Sequence, residues 1–442
     1  MPYTVGIVSL GCAKNRVDAE MMMYKLREAG FELKQDVAMA DAAIINTCGF
    51  IESAKQESID EILELAELKK EGKIKAIIVT GCLAERYNSE IMKELSEADA
   101  VIGIGKNADI AEVVTKALEG EKTESFPDKM LLPMDGGRVQ STEQHWAYLK
   151  IADGCDNSCT YCAIPLIRGG YRSRRMESIL EEARRLVNNG VKEINVIAQD
   201  TTRYGLDIYG KLKLAELLRE MCKIEELYRV RVLYCYPDYI TDELLDTIRE
   251  EDKIAKYIDL PLQHCNAGIL RAMNRRGDRE SLTALIEKIR EKIPGVVLRT
   301  TLIAGFPGES EEAFEELSGF VAQTRFERLG CFAYSQEEDT PAALLPDQID
   351  EDVKNRRAEL ITEQEALIIN DFCESVIGRE IEVLVDGFDR YAECWYGRSE
   401  YDAPEVDPLV FFTVGDTKPH AGDIVKVRVT DHLDCDLTGE MI

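Results

Sequence analysis

The stretch ADGCDNSCTYCAIPLIRGG, residues 152–170, carries Cys155, Cys159 and Cys162 in a C-x3-C-x2-C run. That spacing lets three thiolates on one loop reach a single cubane iron–sulfur cluster, and it leaves the fourth iron without a protein ligand. An open iron is a place where a small molecule can bind and react. A structural zinc site is the competing reading, but zinc wants four closing ligands, commonly in C-x2-C pairs. The nearest histidine, His145, lies ten residues ahead of Cys155 and before the expected strand WAYLKIAD.

Downstream of this loop, KEINVIAQ, YRVRVLYC, KYIDLPLQ, VVLRTTLIAG and RLGCFAYS read as further strands separated by helical stretches. With WAYLKIAD they make six βα units, the pattern of a partial (β/α) barrel with function at the carboxyl ends of its strands. Polar residues expected there are Gln199, Asp200, Tyr236, Gln263, His264 and Ser335.

Upstream, VGIVSL, AAIINT and KAIIVT read as buried strands, and helical patterns begin near Asn15, Ile51 and Ala84. This rhythm implies a parallel sheet covered on both faces. The three strands run out at Cys12, Cys48 and Cys82, spaced by 36 and 34 residues, about one βα unit each. Ligands in open α/β sheets bind outside the carboxyl ends of strands. A second set of three thiols is therefore expected to converge on one edge. Any one of them alone could be a plain buried thiol; three at equivalent positions argue for a shared site.

The chain is expected to divide into an N-terminal α/β domain over 1–118, a polar linker over 119–143, a barrel with its following helix over 144–375, and a small β-barrel over 376–442. The long polar helix is expected over roughly Asp350 to Ser375, and REIEVLVDGF, YAECWYGRS, LVFFTV and DIVKVRVTDH read as short antiparallel strands. That last segment holds 15 acidic and six basic residues, a net charge of −9. The whole chain carries −29 over 442 residues. Such acidity disfavours nucleic acid unless basic residues gather on one face, as Arg379, Arg390, Arg398, Lys426 and Arg428 could. No secretory signal pattern and no apolar run of about 18 residues are found, so a soluble cytoplasmic protein is expected. In a reducing compartment the 13 cysteines are not read as disulfides. Cys222, Cys235, Cys265, Cys331, Cys373, Cys394 and Cys435 show no ligand-like grouping and read as small core residues.

The cysteine loop resembles that of the radical S-adenosylmethionine enzymes, with an aromatic residue just before the third cysteine. Over nearly its whole length the chain is similar to the methylthiotransferases of that superfamily. The matching stretches are SLGCAKNRVDAE, NTCGFIESAKQESI, VTGCLAERY, ADGCDNSCTYCAIPLIRGGYRSR, LPLQHCNAGILRAMNRR and LIAGFPGE. The resemblance implies two 4Fe–4S clusters, one held by Cys155, Cys159 and Cys162 and an auxiliary one held by Cys12, Cys48 and Cys82. It implies S-adenosylmethionine as cofactor, reductively cleaved to a 5′-deoxyadenosyl radical, and a C-terminal barrel like the TRAM domain. Gly305, Arg172, Arg174 and Gln263 are the implied cofactor contacts. From the residues alone, Gly305 fits a plain turn as well, the arginines fit a solvated cluster, and His264 fits a satisfied core histidine. No catalytic acid or base is singled out.

The motifs GCAKN and NTCGFIESAKQES resemble the branch that modifies the β-carbon of an aspartate in small-subunit ribosomal protein S-twelve. The alternative branch acts on a tRNA adenosine beside the anticodon. The acidic tail suits a basic ribosomal protein better than tRNA. An electron donor and a sulfur source complete the implied partners, and no membrane is among them.

Overall fold

Short apolar runs alternating with helices build the first sheet of the computed structural model, which describes residues 3–442. Six strands lie in the order β2-β1-β3-β4-β5-β6: β1 Thr4–Ser9, β2 Glu32–Lys34, β3 Ala42–Thr47, β4 Ala76–Gly81, β5 Ala100–Ile102 and β6 Thr123–Ser125. Every pairing in it is parallel. The strand period of two turns Ile44 and Ile78 toward Met22 and Leu26 of helix α1 (Ala13–Glu28). It turns Ile45 and Val79 toward Ile62 and Leu65 of α2 (Glu52–Lys70). Both faces are thus covered, as the sequence pattern requires. The helical pattern near Ala84 resolves into two pieces, α3 (Cys82–Arg86) and α4 (Asn88–Glu94), broken at Tyr87. Helix α5 (Ile110–Leu118) closes the set.

This sheet belongs to a compact unit formed by residues 3–141, 150–174 and 335–343. The compact cysteine loop therefore lies in the same unit as the three strand-end cysteines. The stretch 119–143 contains β6 and a single 3-10 turn, Lys129–Leu131.

The second unit comprises residues 142–149, 175–334 and 344–442. Its main sheet runs β14-β13-β12-β11-β10-β7, an order that follows the chain. The strands are β7 Trp146–Lys150, then, beyond a two-strand ribbon of β8 Ala152–Asp153 and β9 Arg172–Ser173, β10 Glu193–Ile197, β11 Arg229–Val232, β12 Ile254–Asp259, β13 Val297–Ala304 and β14 Arg328–Ala333. The sheet stays open between β14 and β7, as a partial barrel should. The polar helix runs over Glu351–Val376, capped by the Asp350 side chain. Five strands then close a small barrel in the order β15-β16-β17-β19-β18, from β15 Glu380–Asp389, β16 Cys394–Arg398 and β17 Val410–Thr413 to β18 Ile424–Leu433 and β19 Asp436–Met441. All its seams are antiparallel except β17 with β19, which is parallel. No helix among the described residues is long and apolar enough to cross a membrane.

Candidate functional site

Cys12, Cys48 and Cys82 each follow a strand of the first sheet, β1, β3 and β4. Cys12 caps α1 in extended conformation and Cys82 opens α3. The loops between them touch. A Cβ on Gly11, whose φ is +86°, would stand 2.9 Å from both Cβ and Sγ of Cys48, so only glycine fits. The Asn15 amide donates to the carbonyls of Leu10, Asn46 and Thr47 at 2.7, 3.2 and 3.2 Å, tying the strand ends that precede Cys12 and Cys48. The Ser58 hydroxyl exchanges hydrogen bonds with the Cys48 backbone, accepting from its N–H at 3.0 Å and donating to its carbonyl at 2.9 Å.

The three thiols feel one another and a common cation. Burial pushes the Cys82 thiol up to about 12, with Arg168 opposing and the other two sulfurs adding to the rise. Burial likewise raises Cys48, with the Phe50 backbone N–H opposing. Cys12 keeps an exposed face. Its enclosed side acts to raise the thiol, but Lys14, Arg168 and the backbone N–H groups of Asn15 and Lys14 outweigh that and hold it below the ordinary range.

The compact set lies on the loop after β8. Cys155, Cys159 and Cys162 are all half-buried. The Cys155 N–H donates to the Gly169 carbonyl at 3.1 Å, closing the base of the loop. Ser158 sits at a φ of +52°, an unusual conformation for a residue with a side chain and a mark of a constrained loop. Segment 335–343 fastens this loop from the far side, since Ala342 N–H donates to the Thr160 carbonyl at 2.9 Å. The same segment supplies buried Glu337, which pairs with Arg86 at 2.7 Å and Lys55 at 3.3 Å; Arg86 in turn donates to the Gly49 carbonyl at 3.0 Å.

The two sets are neighbours. Cys82 packs with Ala163, the residue after Cys162, and with Ile167 of helix α6 (Ile164–Arg168). Beneath them lie four fully buried charges. Lys150 pairs with Asp18, and with Asp153 at 2.8 Å; Arg168 pairs with Asp18 at 2.9 Å and with Asp153 at 3.0 Å. Burial opposes the Asp153 charge, but Lys150 and Arg168 hold its carboxyl far below the usual carboxylate range. Two cations and two anions cancel, which is how such a group tolerates a dry interior. The sequence reasoning passed over Lys150, Asp153 and Arg168; the only signal was their position beside the cysteine motif.

No three Cys, His, Asp or Glu side chains among the described residues already converge on a position for one metal ion. A cubane asks something different, because each thiolate binds a different iron. Two separate thiol triads, one with cations around it, suit such anionic clusters in donor chemistry.

The other sequence-derived candidates are dispersed. Arg174 is buried, donating to the Asp135 carboxylate at 2.8 Å and the Lys150 carbonyl at 2.6 Å, while Arg172 donates to the Met130 carbonyl. In the second unit, Gln263 adopts a φ of +72°, with its backbone hydrogen-bonded to Thr301 and Ile303 of β13 at 2.8 Å each. His264 is fully buried; its Nδ1 accepts from the Asn266 N–H at 2.9 Å, which places the proton on Nε2, 3.1 Å from Glu309. Glu309 also accepts from the Gly305 N–H at 2.7 Å and from Arg357 at 2.7 Å. Gly305 has a φ of +75°, and a Cβ there would stand 2.2 Å from Lys354 Cγ. The long helix thus occupies the space that the glycine frees. Asp200 is engaged by Thr202 at 2.7 Å, Tyr236 stacks on Arg275, and Ser335 donates to Glu337 at 2.7 Å.

Residues 149–321 match the Radical SAM superfamily model, residues 4–103 the model described as Uncharacterized protein family UPF0004, and residues 377–442 the TRAM domain model. Among solved structures, the radical S-adenosylmethionine methyltransferase TsrM from Kitasatospora setae is similar in fold, at 13% identity and a TM-score of 0.57, covering 87% of this chain and 79% of that one. The fold and the C-x3-C-x2-C loop thus place the chain among radical S-adenosylmethionine proteins. Two curated relatives refine the class. Ribosomal protein uS12 methylthiotransferase RimO of Desulforamulus reducens is 49% identical over 99% of each chain, and its namesake from Lachnoclostridium phytofermentans is 48% identical over 98% of each. The chain belongs to the RimO family of methylthiotransferases.

Proposed function

We propose that this protein transfers a methylthio group to the β-carbon of an aspartate in ribosomal protein uS12, using two 4Fe–4S clusters and S-adenosylmethionine. The observation that carries this reading is the 49% identity to a RimO relative sustained over 99% of both chains. The placement of both thiol triads in one compact unit supports it further.

Cys155, Cys159 and Cys162 would hold the cluster that binds adenosylmethionine, and Cys12, Cys48 and Cys82 the auxiliary one. With both groups bound, the first supplies a 5′-deoxyadenosyl radical able to take hydrogen from an unactivated carbon, and the second supplies the sulfur. The β-carbon of an aspartate has no leaving group, which is why such chemistry is needed. The chain's own work is positional. The close fit at Gly11 and the Asn15 amide hold the strand-end thiols together, and Ala163 and Ile167 seat Cys82 beside the compact loop. In the second unit Glu309 fixes the Gly305 turn and His264, and the backbone of Gln263 is tied to β13.

The acidic C-terminal barrel is the feature that selects a basic protein. Two of its six basic residues are already engaged: Arg398 is buried against Glu193 and Asp386, and Arg428 pairs with Glu380. With 15 acidic against six basic residues, the segment's charge opposes rather than attracts the phosphates of tRNA. A ribosomal substrate sets the working place in the cytoplasm, with an external electron donor and sulfur source. The test is incubation of the reconstituted protein with adenosylmethionine, reductant and sulfide. A uS12 loop peptide and tRNA compete as substrates, and both are read by mass spectrometry. Modification of the peptide aspartate supports the proposal; modification of a tRNA adenosine instead overturns the substrate.

A further inference from the structure

One guanidinium, that of Arg168, touches Cys82 directly and, through Asn15, is linked to the strand ends that precede Cys12 and Cys48. Arg168 Nη1 is committed to the buried carboxylates of Asp18 and Asp153. Its Nη2 turns the other way, lying 3.8 Å from Cys82 Sγ and 3.4 Å from Asn15 Oδ1. The Asn15 amide nitrogen is the group that binds the carbonyls of Leu10, Asn46 and Thr47, just ahead of Cys12 and Cys48. A planar fork is needed for this, because one edge must face carboxylates while the other faces a sulfur and an amide oxygen. Lysine would offer a point charge to one of them. Arg168 is also 1% exposed, so water does not screen it.

The anchor of this residue is the other cysteine set. Asp153 lies two residues ahead of Cys155, and Arg168 ends the helix that begins two residues past Cys162. Its position is thus dictated by the compact loop, while its free edge serves the distributed one.

We propose that Arg168 is a positioning residue that aligns the three strand-end thiols and raises the reduction potential of the cluster they hold. This rests on the two-cluster reading above. Hydrogen bonds to the sulfurs and local net charge are levers on cluster potential. A cation beside Cys82 stabilises the more negative, reduced form, so removing it drives the potential down. The carboxylates left behind push in the same direction.

The experiment uses the full-length protein with Cys155, Cys159 and Cys162 all changed to alanine, so that only the auxiliary cluster is reconstituted. Its midpoint is followed by electron paramagnetic resonance during reductive titration, alone and with Arg168→Met or Arg168→Lys. The expected result is a shift to more negative potential with methionine and a smaller shift in the same direction with lysine. The complementary background, with Cys12, Cys48 and Cys82 changed to alanine, should show a smaller shift in the remaining cluster. If methionine prevents folding, the lysine variant decides the matter. An unmoved auxiliary midpoint, or an equal or larger shift in the other cluster, overturns the inference alone. Absence of a cluster from the first background, before any change at Arg168, sinks the two-cluster reading and the inference with it.

Discussion

Replacing Lys150 with methionine removes one of four buried charges beneath the thiols. The side chains of Lys150, Asp18, Asp153 and Arg168 are all 1% exposed or less. Lys150 Nζ touches both carboxylates, so the group goes from neutral to a net charge of −1 with no water to receive it. Breaking such a buried group by removing one partner costs about 3–5 kcal/mol, against roughly 0–1 for a surface pair. For a unit of this size each kcal/mol corresponds to about 2–4 °C, so a fall of roughly 6–20 °C is expected. The assay is urea unfolding of the cluster-free protein by circular dichroism, with hydrogen exchange in β1, β3 and α1 locating the loss in the first unit. Adding Asp18→Asn to Lys150→Met restores neutrality, leaving Arg168 with Asp153, and should recover a good part of the deficit. A cost below about 1 kcal/mol, or no recovery in the double variant, would refute the claim that these charges form one buried, balanced set.

Gly11→Ala should lower iron bound at the auxiliary site, because its methyl would meet Cys48 Sγ at 2.9 Å; iron analysis in the Cys155, Cys159 and Cys162 alanine background checks this, and full loading would contradict it. Cys155→Ala should abolish reductive cleavage of adenosylmethionine, whereas Cys48→Ala should retain cleavage and lose methylthiolation, both read by chromatography of 5′-deoxyadenosine and by peptide mass. Glu193 carries a pH dependence. Burial opposes its charge, but Arg398, Arg231 and Arg229 hold its carboxyl below the usual range. Its folded pKa therefore lies under the unfolded value of about 4.3, so the stability it contributes is full above that pH and drains away as pH falls further. Glu193→Gln should flatten the acid limb of the stability curve below about pH 4.3; an unchanged slope would show that the arginines do not hold it.

The apolar runs AAIINT and KAIIVT announced β3 and β4 because both faces of a parallel sheet are buried, and that leaves an uninterrupted signal in the sequence. The edge strands β2 and β6, and β5 beside the latter, are three residues each, too short to show any period. β19, with sequence DLTGEM, is polar at half its positions and escaped notice for the same kind of reason. The convergence of Cys12, Cys48 and Cys82 was legible because equal βα spacing puts strand ends on one edge. The charges around them were not. Lys150 lies inside the expected strand WAYLKIAD, and Arg168 closes a cysteine loop in which no helix is expected. Only the fold brings them to Asp18, 132 residues before Lys150 in the chain. For Gly305 the sequence leaves a cofactor contact and a plain turn both open; the chain turns there at a φ of +75°, and Lys354 of the long helix occupies the space a Cβ would need, a contact that no local pattern encodes.

Mass spectrometry of ribosomal protein uS12 from cells with and without the gene tests whether this chain places sulfur and a methyl group on one of its aspartates. One methylthio group is expected in place of hydrogen on a single aspartate, present with the gene and absent without it, while tRNA nucleosides stay unchanged. An unmodified uS12 in both strains, or a methylthio group lost from tRNA adenosine instead, would contradict it.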